Sequence, residues 1–154
     1  MKKPIFAVVI GINKYGSSSY PNLCGAAEDA DRFNNYLTHG LGVPCDSIYS
    51  LRNEDASRDG IIQSIRWLKG HTKIKKDEAV IIIYFAGHGV RTNKRMQMIC
   101  PSDIGTEIPF KNGRTKLVEG ICGITLAKHF KELSRAKGDN IVRPIFIPKV
   151  MIHF

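Results

Sequence analysis

Residues Ile81–Val90 read IIIYFAGHGV. A continuous apolar, β-branched and aromatic run stops at a histidine set between two glycines. An uninterrupted run of this kind reads as a strand buried on both faces, the condition of a central strand in a parallel sheet. In open α/β sheets, chemistry gathers at the carboxyl ends of the strands. His88 falls at such an end. The stretch therefore raises both the fold and the candidate site together.

Working outward, Ile5–Ile12 (IFAVVIGI) is a second apolar, β-branched run and a second buried strand. A long loop, NKYGSSSYPN, follows. In GAAEDADRFNNYLTHGLGV, Ala26, Ala30, Phe33 and Leu37 recur at helical spacing, with Gly40 and Gly42 as stops. DSIYSLR alternates and suits an outer strand. DASRDGIIQSIRWLKG predicts a helix capped by Asp55 or Ser57, with Ile61, Ile65 and Leu68 as its apolar stripe. RMQMICPSD predicts a short strand. ITLAKHFKELSRAKGDN predicts a third helix, with Leu126, Phe130 and Leu133 on one side and Gly138 at its end. Strand and helix alternate, which implies crossover connections and a mostly parallel sheet with helices on both faces.

The bulk properties bound the function. The 154 residues suit one domain, and 43% apolar with 24% charged residues is a globular balance. No apolar run approaches the ~20 residues a bilayer requires. The opening MKKPIFAVVIGI leads into NKYG without a small-residue cleavage site, so it reads as a first strand rather than a secretion signal. The net charge of +9 fits a solvated basic surface or an acidic partner. Its basic residues are scattered and not interleaved with aromatics, which argues against a stacking platform for single strands. Cys24, Cys45, Cys100 and Cys122 form no C-x-x-C pair, so neither a zinc ribbon nor a disulfide framework is indicated. The expectation is a cytoplasmic protein that uses neither a membrane nor a nucleic acid as partner.

Taken alone, a glycine–histidine–glycine turn is weak evidence. The histidine could cap a neighbour or face water. A phosphate-cradling loop lacks the rest of its pattern. The catalytic reading draws on position: His88 can take and return protons near neutral pH, and the Gly89 amide can face a developing oxyanion.

Several motifs in order carry a resemblance: FAVVIGINKY, YPNLCGAAEDADRFNNYL, DEAVIIIYFAGHG, MICPSD and LSRAKGDNI. Together they resemble the caspase-like domain of metacaspases over roughly residues 5–141. The resemblance implies a caspase–hemoglobinase-like three-layer α/β/α fold and a cysteine endopeptidase with a Cys–His dyad, acting on protein or peptide substrates after Arg or Lys. It implies that His88 is the general base or acid, that Gly89 helps form the oxyanion hole, and that Asp29 lines a pocket for a basic side chain. Asp29 reads equally well as a first-turn carboxylate at the positive end of a helix dipole. Calcium is possible by resemblance, with Asp103 at an acidic loop position, but the carboxylates are too few to propose a metal.

The chain departs from this pattern after KGDNI. It reads VRPIFIPKVMIHF, where the family carries its nucleophile, which by count falls near Ile147 and Pro148. Residues 1–141 are thus expected to form the N-terminal, large-subunit part of a caspase-like domain, truncated before the nucleophile strand is completed, and 142–154 a divergent tail. Pro144 and Pro148 restrict that tail to an edge strand. Two functions compete: a peptidase domain inactive as given, and a non-catalytic caspase-like module that binds or regulates an intact relative. Cys24, in the loop after the first strand and at the same end of the sheet as His88, is a candidate substitute thiol, though a small buried apolar role is the usual fate of a free cysteine; Cys45 and Cys122 fall in loops of unclear placement, and Cys100 packs in the short strand.

Overall fold

A computed structural model describes residues 2–92 and 96–146, the last two by their backbone alone. The central sheet is built on β1 (Ile5–Gly11) and β3 (Val80–Ala86), paired in parallel over seven residues from Ile5↔Val80 to Gly11↔Ala86. β2 (Ile48–Arg52) joins the outer side of β1, as its alternating pattern predicts. The other side of β3 carries two short parallel pieces, β9 (Ile141–Val142) and β10 (Ile145–Phe146). Pro144 sits in the break between them, where its missing N–H costs no ladder bond; its carbonyl accepts from the Phe85 amide at 3.2 Å. The tail thus pairs as an edge strand with Pro144 just before β10. Ile147 and Pro148 lie outside the described residues.

The two faces of β1 and β3 are chemically different, and this sets the layers. Phe6, Val8, Ile10, Ile81, Ile83 and Phe85 project into a large core shared with α2 (Arg58–Gly70) and α3 (Gly123–Lys137). Ala7, Val9, Tyr84 and Ala86 project into a thinner core under α1 (Ala26–Asn35). Small residues on that second face let the helix come close. A side chain at Gly11 would lie 2.6 Å from both the Ala26 carbonyl oxygen and the Ala30 Cβ, so the strand must have a glycine there. The result is the three-layer α/β/α arrangement with a mostly parallel central sheet.

Local signals set the helix ends. Ser57 caps α2, its hydroxyl accepting from the Gly60 amide at 3.1 Å. Gly138, at φ 92°, closes α3 and lies against Asp77. The first helix ends differently from expectation. α1 stops at Asn35, and a π turn over Tyr36–Gly40 carries the chain on, with Thr38 hydrogen-bonded back to the Asn34 and Asn35 carbonyls. That side-chain competition for the backbone carbonyls accompanies the widened turn.

A set of short elements sits beyond the carboxyl end of β3. β4 (Gly89–Arg91), β5 (Gln97–Ile99) and β8 (Ile121–Cys122) form an antiparallel sheet, and β6 (Glu107–Pro109) pairs with β7 (Thr115–Leu117) as a separate hairpin. Val90, Cys100 and Ile104 pack with Tyr15, Tyr20 and Met98 into a small third core beneath them. Among the described residues no helix is long and apolar enough to cross a membrane.

Candidate active site

His88 leaves the end of β3 and is fully buried, with 0% of its surface exposed. The loop between β1 and α1 closes over it. Its Nε2 lies 2.7 Å from the Pro21 carbonyl oxygen. Its backbone amide donates to the Tyr15 hydroxyl oxygen at 2.8 Å, and the two rings are 4.8 Å apart. A carbonyl can only accept, so in the neutral ring Nε2 carries the proton and Nδ1 carries the lone pair. Nδ1 is buried and has no hydrogen-bond partner among the described residues. The imidazole is therefore oriented through one nitrogen and presents the other as an unoccupied base.

The loop that supplies Pro21 is held by Asn13. Its side-chain oxygen accepts from the Gly25 and Ala27 amides at 3.2 and 3.1 Å, and its side-chain nitrogen donates to Glu28 at 2.8 Å. Asn13 thus caps α1 from outside the helix, which has no side-chain cap of its own. The Asn13 carbonyl accepts from the Leu23 amide at 2.7 Å, and Asn22 accepts from the Tyr15 amide at 3.0 Å, so the two residues that follow Pro21 are both anchored to the segment after β1. Asn13's own amide and that of Lys14 donate to Asn53, which caps the end of β2 with φ 45°.

The two glycines of the turn have separate reasons. Neither has the left-handed backbone that only glycine tolerates. A Cβ on Gly87 would lie 3.0 Å from the Tyr15 hydroxyl oxygen and 3.0 Å from the Phe85 ring, so Gly87 makes room for the group that holds the His88 amide. Gly89 begins β4. The Cys100 amide donates to the His88 carbonyl at 2.9 Å, and the Thr92 amide to the Met96 carbonyl at 2.9 Å. Ladder bonds alternate in an antiparallel pair, so residues 88 and 92 face β5 and the Gly89 amide points away from it. That leaves a backbone donor next to the imidazole and outside the ladder.

Asp29, Asp103 and Cys24, the other residues singled out in the sequence, make no hydrogen bond to His88 among the described residues. Asp29 is exposed on α1, pairs with Arg32 at 3.2 Å, and sits near enough to Tyr84 to help burial raise that phenol's pKa. Asp103 accepts from the Arg58 amide at 2.8 Å and so caps α2 from a distant loop. Among the described residues no group of three or more His, Cys, Asp or Glu side chains could hold a metal. Cys24 is exposed and is not a partner of Nδ1. Cys100 is buried, and burial pushes its thiol up to about 12, far from a nucleophile's range. Cys122 is half-buried at the start of α3, its sulfur 3.2 Å from the Thr125 hydroxyl, and hydrogen bonds there lower its pKa.

Sequence comparison now decides the family: the caspase-domain profile of peptidase family C14 matches residues 5–134. This chain belongs to the caspase-domain family. The caspase domain here is similar to metacaspase-3 of Arabidopsis thaliana, 30% identical over 115 residues, which are 66% of this chain and 30% of that protein. It is also similar to metacaspase-1 of Saccharomyces cerevisiae, 30% identical over 92 residues, or 56% of this chain and 20% of that protein. A crystal structure of a Geobacter sulfurreducens protein shares the fold at TM-score 0.64 and 15% identity, covering 94% of this chain and 49% of the other. The chain therefore spans less than a third of the curated relatives it matches and about half of the solved neighbour.

Tyr15, Asn13 and Pro21 were not distinguishable in the sequence as site residues. Pro21 acts through its carbonyl, which every residue possesses. Asn13 and Tyr15 act across gaps in the chain that no local pattern spans.

Proposed function

We propose that this caspase domain is the histidine-bearing part of a cysteine endopeptidase that cleaves protein substrates after Arg or Lys, and that the chain is inert as it stands. The buried Nδ1 of His88, beside the Gly89 amide and without a hydrogen-bond partner among the described residues, is the observation that carries this reading. A thiol placed against Nδ1 would give up its proton to that lone pair. The thiolate would attack the scissile carbonyl, the Gly89 amide would meet the oxyanion, and the leaving amine would take the proton back from Nδ1. Pro21 keeps the ring in the tautomer that makes this possible and accepts the hydrogen bond of the imidazolium. The family places its thiol near the positions of Ile147 and Pro148, and residues 142–154 contain no cysteine. A dyad acts as a unit, so without the thiol most of the rate is gone. Asp29 is the proposed contact for a basic substrate side chain; its exposed carboxylate near α1's start supports this.

A non-catalytic role as a binding or regulatory partner of an intact relative is the second reading, favoured by the edge strand β9–β10 on β3. One experiment separates them. Arg- and Lys-containing fluorogenic peptides are offered, with and without calcium, to the chain, to the chain joined to the C-terminal half of a metacaspase domain, and to that fusion with His88→Ala. Turnover by the fusion alone, lost in H88A, is the expected result. Turnover by the short chain would end the claim of inertness. A folded fusion without turnover would leave the binding module as the better reading.

A further inference from the structure

We propose that the β6–β7 hairpin is an adsorption surface for an anionic lipid membrane. The hairpin pairs with neither of the other sheets. Its register sets Ile108 opposite Lys116 and Glu107 opposite Leu117. Side chains alternate across a strand pair, so Ile108, Phe110, Arg114 and Lys116 share one face, while Glu107, Pro109, Thr115 and Leu117 share the other. The Lys116 ammonium lies 5.0 Å from the Phe110 ring centroid, which agrees with that assignment. Phe110 is 49% exposed, and Lys111 and Arg114 at the tip are exposed and make no ion pair among the described residues.

One face therefore carries an exposed aromatic ring beside two cations, Arg114 and Lys116, with a third, Lys111, in the tip turn next to it, and the hairpin's single carboxylate is turned to the opposite side. An anionic bilayer complements this arrangement: phosphate and carboxylate headgroups meet the cations while the ring enters the acyl boundary. A protruding ring needs no preformed pocket in lipid, whereas a protein partner would have to supply one. Nucleic acid is a poorer match, because Lys116 already occupies the vicinity of the ring and no second exposed aromatic adjoins it on this face. The net charge of +9 adds a long-range attraction to the same surface. The sequence-based expectation of no membrane partner rested on the lack of a spanning segment and did not address surface adsorption.

The hairpin also borders the loop over His88. The amides and carbonyls of Gly105, Thr106 and Val118 tie its base together, and a side chain at Gly16 would lie 2.8 Å from the Thr106 methyl group. Adsorption would hold the face bearing the candidate active site near the bilayer.

The test is co-sedimentation of the full chain with phosphatidylserine-containing and with pure phosphatidylcholine vesicles, across a salt series. Binding is expected to the anionic vesicles only and to weaken with salt. Phe110→Ser, which leaves the charge unchanged, is expected to lower affinity roughly tenfold, the scale of losing one buried aromatic ring. The triple variant K111E/R114E/K116E is expected to abolish binding, and Thr115→Ser on the opposite face to leave it unchanged. No binding to anionic vesicles, or binding indifferent to Phe110→Ser, would overturn the proposal. So would Phe110-dependent binding to single-stranded DNA in its place. All these positions are exposed, and matched melting curves would show that each variant is folded.

Discussion

The Nε2 atom of His88 stands 2.7 Å from the carbonyl oxygen of Pro21, 67 residues earlier in the chain. The contact fixes the tautomer of a buried ring. In solution NMR of the imidazole nitrogens, His88 is expected to show the proton on Nε2 and none on Nδ1. A ring protonated on Nδ1 in its neutral form would contradict the account of the site.

The Tyr15 hydroxyl accepts the His88 amide at 2.8 Å. Tyr15→Phe leaves that amide without its acceptor, at a cost of about 1–2 kcal/mol. Urea unfolding measures the loss. Burial holds the Tyr15 phenol well above its usual range, so it stays protonated through neutral and mildly alkaline pH. The contribution of this contact to stability is therefore expected to be flat across that window.

Asn13 satisfies two amides at the start of α1 and donates to Glu28. Asn13→Ala removes all three bonds and should destabilise the protein by about 1–2 kcal/mol, in the range of a lost helix cap. Hydrogen exchange should quicken at Gly25 and Ala27 more than in β1. Uniform exchange changes would show that Asn13 has no local role.

Asp103 caps α2 through the Arg58 amide at 2.8 Å. Asp103→Ala should cost about 1 kcal/mol, and Asp103→Asn, which keeps an acceptor oxygen, less. Calcium is expected to leave the melting temperature of the parent chain and both variants unchanged. A calcium-dependent rise lost in D103A would assign this carboxylate to a metal instead.

The cysteines should separate by alkylation rate. Thiolate is the reactive form and grows as pH rises through the thiol pKa. Hydrogen bonds from Thr125 lower the Cys122 pKa, so its thiolate appears at lower pH than that of an ordinary thiol. Burial pushes Cys100 to about 12, so it should stay inert until the protein unfolds. Thr125→Val should move the Cys122 rate profile to higher pH. Mass-spectrometric mapping of the labelled sites checks both.

Much of the scaffold was legible because it is written in local pattern. β1 and β3 are the two long apolar runs, β2 alternates, and α2 and α3 carry apolar stripes with clear ends. The geometry around His88 was half legible. His88 and Gly89 announce themselves by an abrupt stop after an apolar strand. Their supports do not, since Tyr15, Pro21 and Asn13 become neighbours of the turn only after β1 and β3 pair. β5 falls where RMQMICPSD predicted a short strand, but β4 and β6 to β8 are two or three residues long, too short for any period to emerge. Asp103 was noticed for its charge, yet its partner is an amide 45 residues away. The π turn after Asn35 was not foreseen, although Gly40 marks its end, because the Thr38 bonds that accompany it leave no periodic signal.

Because Pro21 precedes His88 by so long a stretch, order of synthesis matters. Chains emerge from the ribosome N-terminus first. The loop that will cover the imidazole is translated, and must wait, while both intervening helical units and the whole of β3 are still being made. Closing that gap carries a chain-entropy cost that only the docking of β3 onto β1 can offset. A nascent or partly unfolded molecule would therefore possess its helices before it possesses the Pro21–His88 contact, which would arrive only with the pairing of β3 onto β1.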